Sequence, residues 1–501
     1  MGEDVNNRFK SPHVDDRANF AMLLKRTNDI MSKHLAERAS KPVENSVPPK
    51  ALQDELASLA LPANGISASD ILSLLEDKVM PWSMPTNHAR SYGWVNTSPA
   101  PIAILSDALA TTLNNGLDSG DHPSVCIMHS LTQWLMELSG FISADGTPNG
   151  MAILLGGGSG ANLNALTVAR YWAAKRDGWN IREEGLQNNR PVMTYYISDE
   201  AHSSVQRCVE QLGIGTDNMR KVETDDTFRI RPQALRQSID KDLQAGFSPA
   251  CVVAACGSTN VGAIDPLSEI ADICEEYNLW FHVDGAYGGI VGLDPAYTAM
   301  TRALNRANSL TLDPHKWLQV PYDCGALLVR ERQLNYENYS LVPDYLAAAL
   351  VETSKVPWPY EYMLELTFGD RALKTWAAIA RLGLEGVRDM VVNCNNMARR
   401  LEELIAKSSD LELLSPASIS TANFRYLPSS HFDKPWSDEA LNALTQQISN
   451  DISASGEAHI PTTKVNGVVS LRACFLHYEN QEDDVHHLVS LVRQLGEKQD
   501  K

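Results

Sequence analysis

The 501-residue chain contains no apolar run of the roughly 18–20 residues that a membrane-spanning helix needs. Its opening stretch, Met1 to Arg17, has no apolar core of the signal-peptide kind and does not read as a secretory signal. No basic run exceeds a few residues. Lys plus Arg number 43 against 62 Asp plus Glu, a formal charge of -19. Such an acidic surface repels phosphate backbones and speaks against a nucleic acid partner. Cysteine is sparse, with eight residues and no C-x-x-C pair. That argues against a disulfide scaffold and predicts reduced, mostly buried thiols in a cytoplasmic enzyme. H-E-x-x-H, G-x-x-x-x-G-K-[ST] and G-x-S-x-G are all missing. Nothing in the sequence therefore points to a zinc protease, a P-loop or a nucleophile elbow, and no metal site is expected.

What is present is the balance of an ordinary globular protein, 44% apolar and 21% charged, in a chain long enough for two or three domains. Residues 1–75 have a helical pattern. Phe20, Leu23, Leu24, Ile30, Met31 and Leu35 recur at helical spacing, and Ser67 to Asp70 reads as a helix start. So short a segment cannot bury its own apolar face, which predicts packing on a partner subunit. Residues 76–370 alternate short apolar runs with helical stretches. Residues 152–155, 192–197, 251–255, 279–283, 309–312 and 325–329 read as strands, and 161–174, 203–212 and 267–277 as helices. This alternation predicts an α/β domain with a mostly parallel sheet, its ligand at the carboxyl ends of the strands. Residues 371–501 read as a smaller α+β domain. It opens with a long helix interrupted near Gly383 and Gly386, and closes with one striped by Val485, Leu488, Val489, Val492 and Leu495.

Four strand ends carry chemistry. Ser309-Leu-Thr-Leu-Asp-Pro-His-Lys-Trp317 places Lys316 in a loop beside Pro, His and Trp. Desolvation there would ease its deprotonation and make it a nucleophile toward carbonyls, as a Schiff base with pyridoxal phosphate requires. Trp280-Phe-His-Val-Asp-Gly-Ala-Tyr287 delivers Asp284 to a strand end, where a carboxylate can pair with a pyridinium nitrogen. Gly285 and Ala286 leave room for a flat ring. Leu155-Gly-Gly-Gly-Ser-Gly-Ala-Asn162 runs from a strand into a helix, an arrangement suited to a phosphate. It also fits G-x-G-x-x-A through Gly156, Gly158 and Ala161, so a nicotinamide-dependent oxidoreductase is an alternative, with Asp177 the nearest available acid. Ser198-Asp-Glu-Ala-His-Ser-Ser204 puts His202 where it can stack on a ring or cap the next helix.

In this order the four segments resemble the fold-type I pyridoxal phosphate enzymes, and among them the group II amino acid decarboxylases. Gly93 to Pro101 and Asp313 to Tyr322 resemble bacterial-type members. The resemblance implies an α/β large domain and a smaller carboxyl-terminal domain in a homodimer with exchanged amino-terminal helices. It implies Lys316 as the Schiff-base lysine, Asp284 as the pyridinium partner, His202 stacked on the ring and Ala286 packed on its other face. Gly158, Ser159 and His315 would serve the phosphate, with Thr259 and Ser309 near the cofactor. Trp94 and the neighbourhood of Cys126, where the sequence departs from the family's usual residues, are read as walls of the substrate pocket. Arg472 would meet a substrate carboxylate through a weak contact, or form a structural ion pair. A mobile-loop tyrosine, taken as Tyr360, would protonate the product carbon. The implied reaction is decarboxylation of an L-amino acid, aromatic or apolar, to the amine and CO₂. The alternative with the same cofactor is oxidative decarboxylation–deamination to an aldehyde.

Overall fold

The computed structural model describes residues 11–499 apart from 44–46, 83, 85, 87, 117–121, 144, 188 and 342–357. The first part of the expected mobile loop, residues 354–357, lies outside the described residues.

The large domain is built on a seven-stranded sheet. Its strands are β1 (Met151–Leu155), β2 (Met193–Ser198), β3 (Met219–Val222), β4 (Ser248–Ala255), β5 (Trp280–Asp284), β6 (Ser309–Leu312) and β7 (Gly325–Val329). They lie in the order β1-β7-β6-β5-β4-β2-β3. Only β7 runs against the others; the pairs β6–β5, β5–β4, β4–β2 and β2–β3 are parallel. β2, β4, β6 and β7 are buried along their whole length, as a sheet covered by helices on both faces demands.

Parallel strands need crossovers, and the helices supply them. The helix Gly158–Arg176 follows β1, Ser203–Gln211 follows β2, and Leu267–Glu276 joins β4 to β5. The loops entering these helices, and those after β5 and β6, therefore gather along one edge of the sheet.

The small domain has a four-stranded antiparallel sheet in the order β10-β11-β9-β8. Its strands are β8 (Leu411–Ser418), β9 (Thr421–Tyr426), β10 (Thr462–Val465) and β11 (Val468–Cys474). Val485, Leu488, Val489, Val492 and Leu495 of the last helix, Glu482–Gln499, join its core. The helix Ala372–Ala406 ties the domains together. Ala372, Ile379, Val387 and Val391 pack in the large core, whereas Met397, Leu401 and Ile405 pack in the small one. The break expected near Gly383 and Gly386 falls at Gly383 alone, whose φ of 65° leaves the helical region.

The amino-terminal helices Phe20–Glu37, Lys50–Ala57 and Ala68–Leu74 contain no buried residue. Ser67 caps the third through Asp70 N, as its sequence signature predicts. No helix among the described residues is long and apolar enough to cross a membrane.

Candidate active site

Five strands end at one cavity of about 300 Å³. β1 contributes Gly156, Gly157, Gly158 and Ser159, and the loop after β2 contributes Ala201, His202 and Ser204. β4 contributes Gly257, Ser258 and Thr259. β5 contributes Asp284, Ala286 and Tyr287, and the turn after β6 contributes Asp313, His315 and Lys316. This is where open parallel sheets hold their ligands, and the volume falls at the lower end of the range for small-molecule sites.

Lys316 Nζ lies 3.0 Å from Asp313 Oδ2, with the lysine side chain 20% exposed and the aspartate 4%. The other oxygen, Asp313 Oδ1, is buried without a hydrogen-bond partner. His315 Nδ1 accepts from Cys324 N at 3.3 Å, and burial lowers the His315 pKa.

Asp284 is held by two donors. Ala286 N donates to Oδ1 at 3.1 Å and Asn162 Nδ2 donates to Oδ2 at 2.9 Å. Asn162 Nδ2 also reaches Ser204 Oγ at 3.2 Å, and Ser204 Oγ lies 2.8 Å from His202 Nδ1. That ring nitrogen accepts as well from Ser204 N at 3.2 Å, so it carries no proton and the ring hydrogen sits on Nε2. His202 thus caps the following helix and lines the cavity at once.

The glycine run forms a close-fitting cradle. Gly157 has φ 135° and ψ 173°, a conformation essentially reserved for glycine, and precedes the first turn of the helix Gly158–Arg176. A Cβ on Gly158 would stand 2.9 Å from Asp313 Oδ2 and 3.1 Å from Ala286 Cβ. The unpaired N–H groups of that first turn suit an anion.

A pyridoxal-dependent decarboxylase conserved domain matches residues 49–427. The chain belongs to the pyridoxal-dependent decarboxylase family. An aromatic-L-amino-acid decarboxylase of Bacillus atrophaeus is 30% identical over 473 residues, 94% of each chain. An L-2,4-diaminobutyrate decarboxylase of Acinetobacter baumannii is 28% identical over 438 residues, 85% of this chain and 84% of that one. The structure of Oryza sativa TDC with PLP and tryptamine superposes with a TM-score of 0.88 at 22% identity, covering 99% of this chain and all of that one. The chain is accordingly a pyridoxal-phosphate-dependent amino acid decarboxylase of α/β fold. The site fits that cofactor: it has an amine on Lys316, a carboxylate on Asp284, a glycine-lined helix start for a phosphate, and a buried orphan oxygen on Asp313.

Family membership overturns the nicotinamide alternative, and the geometry gives the reason. Asp177, the acid that reading needs, is the C-cap of the helix Gly158–Arg176, far from its glycine end. It binds Arg176 Nε at 2.7 Å and Ser248 Oγ at 2.5 Å.

Of the residues singled out in the sequence, Lys316, Asp284, His202, Gly158, Ser159, Thr259, Ala286 and His315 line the cavity. Five do not. Ser309 lies beneath the site, fully buried, accepting from Trp280 Nε1 at 2.9 Å, because its position on β6 turns it toward β5 and the helix Gly158–Arg176. Tyr360 sits in the short 3-10 helix Pro359–Tyr362, buried with its ring 6.2 Å from that of Trp358. Cys126 is exposed on the helix Pro123–Ser139. Trp94 is 45% exposed, its ring 5.6 Å from that of His459. Arg472 is 8% exposed on β11, yet its Nε and Nη2 have no hydrogen-bond partner, and no ion pair involves it among the described residues. The structural ion pair expected for Arg472 is therefore not seen.

Asn162, Ser204, Tyr287 and Asp313 belong to the site without having been assigned roles from the sequence. All four stood inside quoted motifs. The partners of Asn162 and Tyr287, however, come from distant strands and helices that local spacing does not reveal, whereas Asp313 meets its near neighbour Lys316.

Proposed function

We propose that the enzyme converts an aromatic L-amino acid to its amine and CO₂, acting as a homodimer in the cytoplasm. The observation that carries the reading is the convergence of Lys316, Asp284, His202 and the glycine cradle on one cavity. Pyridoxal phosphate, when bound, supplies the sink for the electron pair that a departing carboxylate leaves behind.

The chain's own groups do the rest. Lys316 is the amine that holds the cofactor. Asp313 Oδ2, at 3.0 Å, orients this amine within the cavity. Asp284, fixed by Ala286 N and Asn162 Nδ2, presents its carboxylate for the ring nitrogen. His202 and Ala286, both lining the cavity, would flank the cofactor ring. Gly158, Ser159 and His315 serve the phosphate.

Arg472 is the cation available for a substrate carboxylate. Its buried, unpartnered N–H groups are costly unless an anion meets them. It shares a face of β11 with Cys474, since alternate residues of a strand point the same way. Cys474 Sγ lies 3.5 Å from the hydroxyl of the cavity residue Tyr287. The cavity lining has no basic side chain other than Lys316 and the histidines, which suits an apolar substrate side chain. Seven of the eight thiols are buried and all are free, in keeping with a reducing compartment.

A panel of L-amino acids assayed for CO₂, amine and O₂ tests the reading. Aromatic substrates should give one amine per CO₂ with no oxygen uptake. Oxygen consumption matching CO₂ release would make the product an aldehyde, and turnover confined to diamino acids would remove the aromatic assignment.

The dimer has its own support. Ile102, Leu105, Leu109 and Leu113 form a stripe along the helix Pro101–Leu113, between 39% and 65% exposed. Phe20, Met22 and Leu24 are more than half exposed on the amino-terminal helix. Stripes of this kind in a folded chain mark an association surface, here a second copy. Among the described residues, deleting 1–75 removes only Val43 from the buried apolar set, yet it should yield aggregates or inactive monomers by light scattering. A soluble, active truncated dimer would contradict the proposal.

A further inference from the structure

From Asp284 and the cavity-lining Asn162 a row of buried polar groups runs back into the sheet. Trp280 Nε1 donates to Ser309 Oγ at 2.9 Å, and Ser309 Oγ lies 2.8 Å from His282 Nδ1. His282 Nε2 lies 3.0 Å from Asn162 Oδ1, and Asn162 Nδ2 donates to Asp284 Oδ2 at 2.9 Å. Trp280, Ser309, His282 and Asn162 are each at most 1% exposed, so water cannot substitute for any partner.

The direction of every proton in this row follows from its two ends. An indole N–H only donates, and a carboxylate oxygen only accepts. The amide nitrogen of Asn162 therefore faces Asp284, and its oxygen faces His282. Thr311 Oγ1, 2.7 Å from the same oxygen, can donate to it, in keeping with that orientation. His282 must then carry its hydrogen on Nε2 and accept on Nδ1 from the hydroxyl of Ser309. Burial lowers the His282 pKa, which keeps the ring neutral and the row intact. Four donors in sequence point the same way, and hydrogen bonds in a low-dielectric interior polarise one another.

We infer that Trp280, Ser309, His282 and Asn162 are positioning residues, a one-way hydrogen-bond relay that aims and tunes the Asp284 carboxylate toward the cavity. This rests on Asp284 being the partner of the cofactor ring nitrogen. The relay spans β5, β6 and the glycine-loop helix. It couples the orientation of that carboxylate to the same amide that reaches Ser204 and, through it, His202. Ser309 thus acts on the Asp284 carboxylate through three hydrogen bonds, without lining the cavity itself.

The test is equilibrium dialysis of the full chain, stripped of cofactor, against pyridoxal phosphate. Ser309→Ala removes one oxygen and should weaken binding by on the order of 10-fold, the size seen when a group supporting a charged ligand is removed. Trp280→Phe cuts only the far end and should weaken it a few-fold; it serves if Ser309→Ala does not fold. Either change leaves buried groups unpaired, so melting temperature falls whatever the role. The deciding comparison is each change made in Asp284→Asn. If the relay acts through the carboxylate, the stability loss persists there while the affinity loss shrinks below about twofold. An undiminished affinity loss in the double variant, or none in the single one, overturns the relay. An unchanged affinity in Asp284→Asn alone overturns the ring-nitrogen assignment first, and the relay with it.

Discussion

Lys316→Ala should leave a protein that borohydride cannot tag with cofactor, and turnover should fall by on the order of 10⁴-fold or more, the scale of losing a covalent nucleophile. Lys316 is the one lysine among the lining residues of the cavity. Its amine stands 3.0 Å from Asp313 Oδ2 in a turn directly after β6. Removing it strands a carboxylate that is 4% exposed. That alone can cost several kcal/mol of stability, because one partner of a buried pair is gone. Lys316→Arg separates the two effects. It keeps a cation beside Asp313 but has no amine able to condense with an aldehyde, so the chain should fold normally and still fail to be tagged. Peptide mapping of the reduced wild-type enzyme completes the test: a cofactor-bearing peptide containing a different lysine would refute the assignment.

The large domain was legible because all but one of its strands are apolar and buried. β6 and β7 lie where the sequence pattern places them, and β1, β2, β4 and β5 begin or end within a few residues of the expected limits. The strands that escaped are β3, β8 and β10, and each is an edge strand of its sheet. β3 is Met-Arg-Lys-Val with its middle pair at the surface, and β10 is Thr-Thr-Lys-Val with one buried residue. β8 contains Pro416 and register shifts, as an edge strand can. These three edge strands are only partly buried, so the signal that betrays a buried strand is missing from them, whereas β1, also at an edge, is apolar throughout and keeps it.

The site divides along the same line. Lys316, Asp284, His202 and the glycine run could be read because each stands at the end of a strand beside its own motif. Trp94, Cys126, Tyr360 and Arg472 rested on resemblance across long separations, and in the single chain none of them reaches the cavity. Asn162 was passed over although it stood in a quoted motif. Its four side-chain contacts come from Ser204, His282, Asp284 and Thr311, between 42 and 149 residues away in sequence. An amide whose value lies in satisfying four partners at once is invisible until those partners are brought together.

Asp284→Asn should reduce the decarboxylation rate by on the order of 10²–10⁴, about 3–5 kcal/mol, comparable to losing one preorganised electrostatic group in a dry site. The substitution preserves shape. It also preserves the acceptor for one of the two donors, Ala286 N and Asn162 Nδ2, that hold the carboxylate. What it removes is the negative charge that pairs with a protonated ring nitrogen, and with it the ring's capacity to draw electrons from the bond that breaks. The loss should appear in kcat more than in KM, because that charge matters most when electrons move toward the ring. Oxygen uptake measured alongside guards against a change of product being mistaken for a loss of rate. A fully active Asp284→Asn enzyme, with cofactor bound as tightly as in the wild type, would remove Asp284 from the catalytic machinery. A loss confined to KM would reduce it to a binding contact.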